Sequence, residues 1–347
     1  MKHLPLLLLL LLAQGIKAQE RPVNLTDSAS VITWLQKNKI PALGIAYIEN
    51  AKVKTMKLYG DRKPGSPAPI NAVFNVASIT KTITIMVTLN LVNANKWVLD
   101  EPIAKYWTDP DLKDDPRSQK LTSRHILTHR TGFPNWRSQL PGGKLAFQAD
   151  PGTKYQYSGE GFEYLRHALE NKFHRKLAQL ADSIIFKPLG MKDSRLTWND
   201  ADEPRFAYPF DKEGKQLEPT KNTQANAADL LKTTIPDYTK FILWMLRGGG
   251  ISKSLFGQMA GHQVQTKTGA YMGLGWAVYD PVGNNEYAIS HGGHDPGVHT
   301  MTVIFPKSKR ALLIFTNSDN GMQLYPGLFA GYLGEQGQAI VDIETRK

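Results

Sequence analysis

The 347-residue chain contains no cysteine. That excludes disulfides, thiolate metal sites, a cysteine nucleophile and a lipid anchor on cysteine, so stability must come from an ordinary core. A chain of this length can supply one, as one large domain or as two lobes. Long apolar runs are scarce too. The conspicuous one, Leu6 to Leu12 behind Met1-Lys2-His3 and Leu4-Pro5, is too short to span a bilayer. Its basic start and the small residues Ala13, Gly15 and Ala18 make residues 1–18 read as a signal peptide cleaved before Gln19-Glu20. The expectation is an exported protein, periplasmic or secreted, and not an integral membrane protein. No Gly-x-Ser-x-Gly elbow, P-loop or dinucleotide fingerprint occurs, which argues against an α/β-hydrolase and against a nucleotide cofactor. No cofactor is expected.

Forty-two Lys and Arg face 31 Asp and Glu, a formal net charge of +11. Removing Lys2 and Lys17 with the leader leaves about +9. The basic residues are scattered, with no dense run or aromatic-interleaved stripe, so nucleic acid is not an expected partner. A soluble positive surface, with some attraction to anionic envelope polymers such as peptidoglycan, fits better.

Periodicity separates the chain into regions. Thr26 to Lys39 suits a capped amphipathic helix, and Leu43 to Ile48 with Val53 to Tyr59 suits an antiparallel hairpin before a Pro/Gly-rich loop, Asp61 to Pro69. Ser78 to about Asn95 is apolar on more than one face, as in a helix buried in a core. Between Asp100 and Gly261, helical stretches at Gly161 to Asn171, Leu177 to Phe186 and Tyr238 to Leu246 alternate with loops. Strand signals return at Leu274 to Tyr279, Tyr287 to His291, His299 to Phe305 and Ala311 to Thr316. Short connections imply antiparallel pairing. The fold class expected is α+β: an antiparallel sheet flanked by helices, built from residues 19–76 and 265–347, with a mainly helical lobe at 77–264 and a cleft between them. Residues 19–347 would form a single catalytic domain.

Chemistry enters at Ser78-Ile79-Thr80-Lys81. Residues three apart share a helix face, so Lys81 can reach back over Ser78 and take or relay its proton. Near a helix start, unpaired amides and the positive end of the macrodipole favour a developing oxyanion. Taken alone, the spacing is weak and better fits a capping serine followed by a solvated lysine.

Three further segments bear on it: Leu127-Thr128-His129-Arg130-Thr131-Gly132-Phe133-Pro134, Pro151-Gly152-Thr153-Lys154-Tyr155-Gln156-Tyr157-Ser158-Gly159, and Ser290-His291-Gly292-Gly293-His294-Asp295-Pro296-Gly297 just after a strand signal. Together with the Ser78 motif they resemble the β-lactamase-related serine hydrolases, which include class C β-lactamases, D-alanyl-D-alanine carboxypeptidases, D-aminopeptidases and family VIII esterases. The resemblance runs from about Val31 to Asn320. It implies a β-lactamase or penicillin-binding-protein transpeptidase-like fold. It also implies an acyl-enzyme mechanism on an ester, amide or β-lactam carbonyl, with a small molecule or peptide as substrate. Ser78 would be the nucleophile, Lys81 its proton-accepting partner, Tyr157 the proton shuttle and His291 the third-motif residue. The amides of Ser78 and His294 would form the oxyanion hole, and Gly159, Gly292 and Gly293 would line the substrate site. Lys81 and Tyr157 are taken as one coupled network, each needing a pKa pulled toward neutrality.

Within this resemblance several alternatives are weighed. Tyr155 rivals Tyr157. Lys267-Thr268-Gly269 spells a β-lactamase third motif but precedes Gly273-Leu274-Gly275-Trp276, so Lys267 is read as a loop lysine. His129 is read as holding its own loop by hydrogen bonds. His291, His294 and His299 lack the carboxylate or cysteine partners of a known ligand spacing, so no metal is expected. Gly159 stands where relatives usually carry Asn, and Gly292 where a hydroxyl residue is common. These departures favour an esterase-like or unusual peptide substrate. They also keep open a binding protein for penicillin or peptidoglycan with little turnover. An Asn restored at position 159 is expected to improve β-lactam acylation if that missing anchor is what limits affinity.

Overall fold

The computed structural model describes residues 23–346, and the expected leader at 1–18 lies outside them. Asp27 accepts the amides of Ala29 and Ser30 and so caps helix α1 (Ser28–Lys37), which buries Val31 and Leu35. Strands β1 (Ala42–Glu49) and β2 (Lys52–Lys63) form the expected hairpin. Asn50 and Ala51, both at positive φ, make its two-residue turn. The following stretch is not all loop, because β2 runs on to Lys63 and pairs with a short β3 (Ser66–Pro67).

Strand β4 (Phe74–Asn75) leads into a single 3-10 turn, Ala77–Ile79, and then α2 (Thr80–Asn93). Almost all of α2 is buried. Its threonines satisfy their hydroxyls locally or across the core, as when Thr84 Oγ1 donates to the Ala227 carbonyl at 2.7 Å. Helices α3 (Ser123–Leu127), α4 (Gly159–Phe173), α5 (Leu177–Ala181) and α6 (Lys187–Leu189) follow, the last two joined by a π-turn at Asp182–Phe186. Then come β5 (Lys232–Thr233), which pairs with β4, and helices α7 (Ile235–Met245) and α8 (Lys253–Met259).

The remaining strands are β6 (Val264–Lys267), β7 (Ala270–Met272), β8 (Ala277–Tyr279), β9 (Ala288–Asp295), β10 (Val298–Phe305) and β11 (Arg310–Thr316). One nine-stranded sheet results, in the order β3, β2, β1, β11, β10, β9, β8, β7, β6, with every neighbouring pair antiparallel. The two ends of the chain meet where β1 pairs with β11, Leu43 opposite Thr316. Two helices absent from the sequence reading, α9 (Tyr325–Leu333) and α10 (Glu335–Thr345), join α1 in covering one face. Leu328, Phe329, Ile340 and Ile343 bury there with Val31 and Leu35. The other face packs on α2, α7 and the rest of the helical region through Ile83, Tyr238, Phe241 and Phe315. Among the described residues no helix is long and apolar enough to cross a membrane.

Candidate active site

The backbone around Ser78 is held on three sides. Ala77 lies at φ +48°, a conformation an L-residue adopts only when its surroundings enforce it. Asn75 Oδ1 accepts the Ala77 amide at 3.2 Å, Thr300 Oγ1 donates to the Val76 carbonyl at 2.9 Å, and Thr80 Oγ1 donates to the Ala77 carbonyl at 2.6 Å. Gly293 on β9 permits this clamp. A β-carbon there would lie 2.3 Å from the Val76 oxygen and 3.1 Å from the Ala77 β-carbon, so only glycine lets the strand approach the turn. Ser78 is left half-buried at the mouth of α2.

Lys81, one turn on, is 1% exposed. Its Nζ donates to Ser78 Oγ at 3.1 Å and to the Ala228 carbonyl at 2.9 Å. Burial pulls its pKa down to about 8, against the opposing pull of Asp229, Asp295 and Glu163. The Tyr157 ring centroid lies 4.8 Å from Lys81 Nζ, and the Phe162 ring follows at 5.6 Å. The Tyr157 hydroxyl is buried without an aligned hydrogen-bond partner. Burial pushes its pKa up, and the neighbouring Ser78 hydroxyl partly offsets the rise. Tyr157, not Tyr155, is therefore the ring beside Lys81.

His129 fixes this tyrosine. Its Nδ1 accepts the Ser158 amide at 3.1 Å, and its ring lies 4.3 Å from that of Tyr157. A histidine accepting at Nδ1 is neutral, and burial together with the Lys81 charge holds its pKa well below the ordinary value.

His291 lies on β9, 6% exposed, and its Nδ1 contacts the Gly292 carbonyl at 2.8 Å. That contact needs a proton on Nδ1 and leaves Nε2 as an acceptor. Burial and Lys81 push its pKa down to about 3, so the ring is neutral. His294 sits beyond the end of the β8 pairing and is exposed, its ring stacked on His299 at 4.3 Å. Among the described residues no three histidine or carboxylate side chains converge as a metal site. Gly292 lines a small, mainly apolar chamber together with Tyr155, Tyr157, Met272, Ala277 and His291. A larger hollow of about 1140 Å³ between α1 and β2 contains none of these groups.

Lys267 is on the edge strand β6 rather than in a loop. Its Nζ pairs with Glu344 of α10 at 2.6 Å, and Glu344 also accepts from the Tyr279 hydroxyl at 2.7 Å.

A carboxyl pair close to Lys81 escapes the sequence reading. Asp295 and Asp229 hydrogen-bond to each other, and Asp295 Oδ2 accepts from Asn75 Nδ2 at 2.8 Å. Burial raises both pKa values, and the Asp229 charge adds to the rise at Asp295, which reaches about 8. Buried Lys232, opposite Asn75, is pulled down to about 8. Asp295 lies within the Ser290 to Gly297 segment, but nothing in the sequence marks Asp229 as its partner.

A family model described as Beta-lactamase matches residues 28–330. The chain is 27% identical over 180 residues to the esterase EstB of Burkholderia gladioli, covering 43% of this chain and 44% of that one. It is 23% identical over 266 residues to a beta-lactamase of Pseudomonas fluorescens, covering 72% and 73% respectively. The solved D-alanine carboxypeptidase AmpC from Burkholderia cenocepacia superposes with a TM-score of 0.75 at 18% identity, over 90% of this chain and 98% of that one. At that identity the superposition speaks to the fold.

Proposed function

The chain belongs to the beta-lactamase family, and from that premise we propose that it is a serine hydrolase working through an acyl-enzyme on Ser78. The observation that carries the reading is the buried Lys81 Nζ, 3.1 Å from Ser78 Oγ and steered by the Ala228 carbonyl. With its pKa near 8, Lys81 is partly neutral close to physiological pH. It removes the Ser78 proton as Oγ attacks the scissile carbonyl. Amides of Ser78 and His294 receive the oxyanion. The bond to the leaving group then breaks, and that group takes a proton relayed through the Tyr157 hydroxyl. Water, activated by the same Lys81 and Tyr157 network, cleaves the acyl ester and regenerates Ser78. Neutral His291 supplies an acceptor from β9, on the flank of the substrate.

Ester and peptide-like carbonyls are the substrate class this reading favours. The leader sequence supports export, to the periplasm or beyond, where peptidoglycan-derived peptides would be within reach. The direct test is turnover of a short-chain nitrophenyl ester and a chromogenic cephalosporin by the mature protein and its Ser78→Ala variant. Serine-dependent hydrolysis of either supports the reading. Activity that survives in Ser78→Ala removes the nucleophile assignment.

A further inference from the structure

The carboxyl pair close to Lys81 has no part in the proton transfers on Ser78, yet one of its members is joined to the backbone that carries the nucleophile. Asp295 Oδ2 accepts from Asn75 Nδ2 at 2.8 Å, and Asn75 Oδ1 accepts the Ala77 amide at 3.2 Å. The two ends of one carboxamide thus connect β9 to the residue before Ser78.

A carboxamide can face either way round, and its partners decide which. Asp295 Oδ2 takes a donor, so Nδ2 turns to β9 and Oδ1 is left for Ala77. Asp295 is itself held, because it hydrogen-bonds Asp229, whose Oδ1 accepts the Leu230 amide at 2.8 Å. Without Asp295 the carboxamide can flip and set Nδ2 against the Ala77 amide, a donor facing a donor.

Strand alternation puts this contact on the catalytic side. His291, Gly293 and Asp295 share one face of β9. Gly293 lies against Val76 and Ala77, and Asp295 comes next along that face, beside Asn75. Both carboxyls are near enough to act on the charges of Lys81 and Tyr157.

What Asn75 holds is a strained residue. Ala77, at φ +48°, keeps that backbone only while its neighbours enforce it. Asn75 grips its amide, and Thr80 Oγ1 grips its carbonyl at 2.6 Å. The Ser78 N–H lies in one rigid peptide plane with that carbonyl, so its direction follows Ala77. Misdirecting an oxyanion donor costs rate more than substrate affinity.

We propose that Asp295 is a positioning residue for catalysis: through Asn75 it holds Ala77 in its turn and so aims the Ser78 amide at the oxyanion. The inference rests on the serine hydrolase reading and deepens it.

The test uses the nitrophenyl ester or the cephalosporin, whichever Ser78 turns over, with rates taken per Ser78 site counted by exhaustive fluorophosphonate labelling. Asp295→Ala should lower kcat about tenfold and leave KM within about twofold. Asp295→Asn removes the acid but keeps an oxygen for Asn75, and should recover most of that loss. An effect exerted through charge on Lys81 would not be recovered. Asn75→Ala should show the same split between kcat and KM, and it carries the test if Asp295→Ala does not fold. The double variant should be no slower than Asn75→Ala alone, since both residues act along one line. A kcat equal to wild type in Asp295→Ala, a loss that Asp295→Asn leaves in place, or losses that multiply in the double variant would overturn the proposal while leaving Ser78-dependent turnover standing. If the wild type turned over neither reporter through Ser78, the hydrolase reading and this one would fall together.

Discussion

The Trp136 indole stands 2.7 Å from where a β-carbon on Gly159 would be. The space that an asparagine restored at 159 would need is therefore already filled. Gly159→Asn should overpack the corner, costing about 1–3 kcal/mol. In a chain of this size that lowers the melting temperature by several degrees. Trp136→Ala added to it should recover part of the loss. A Gly159→Asn protein as stable as wild type and faster on β-lactams would show that the indole swings aside.

Acylation should depend on pH through Lys81. Only the neutral amine accepts the Ser78 proton, so the rate of fluorophosphonate labelling at Ser78 should rise with pH and level off above about 8. Asp295 titrates in the same range, so the midpoint belongs to the network rather than to one group. A labelling rate flat from pH 6 to 9 would remove Lys81 as the base.

Asp295 predicts an opposite trend in stability. Its folded pKa of about 8 lies above the ordinary aspartate value of 3.8, so the folded protein keeps a proton that the unfolded chain has lost. Stability from this group is present at low pH and declines as pH rises from about 4 to 8. Asn in its place mimics the protonated acid. The melting temperature of Asp295→Asn should therefore fall less steeply across that window than wild type, and identical slopes would contradict a proton held on Asp295.

Lys267 offers a test of which lysine does the chemistry. Lys267→Met removes the partner of Glu344 and should lower the melting temperature. Ser78-dependent turnover of a short ester should stay within about twofold of wild type. A collapse of activity in a folded Lys267→Met protein would restore it as a third-motif residue.

How much of this could be read in advance depends on the range of the forces involved. The hairpin at β1 and β2 and the strands β10 and β11 show as short apolar or β-branched runs bounded by turn residues, which are local signals. Lys81 was legible for the same reason, since its reach to Ser78 is set by helix geometry alone. Helices α9 and α10 were not seen, although their buried residues are set by the sheet face they cover. The left-handed turn at Ala77 is invisible in an alanine, because the clamp of Asn75, Thr80 and Thr300 imposes it from distant parts of the chain. The Asp229 and Asp295 pair and the Gly159 and Trp136 contact are likewise products of tertiary approach.

The pairing of β1 with β11 also bears on the order of assembly. The central strands come from opposite ends of the chain, and the threonine that grips the Val76 carbonyl lies on β10. Contacts so far apart in sequence are slow to form, since the loop between them must close first. A nascent chain that has emerged only through α8 carries the serine and its lysine but lacks β9 and β10, the strands that force Ala77 into its turn. The turn that sets the backbone beside Ser78 thus closes only once the strands after α8 are in place.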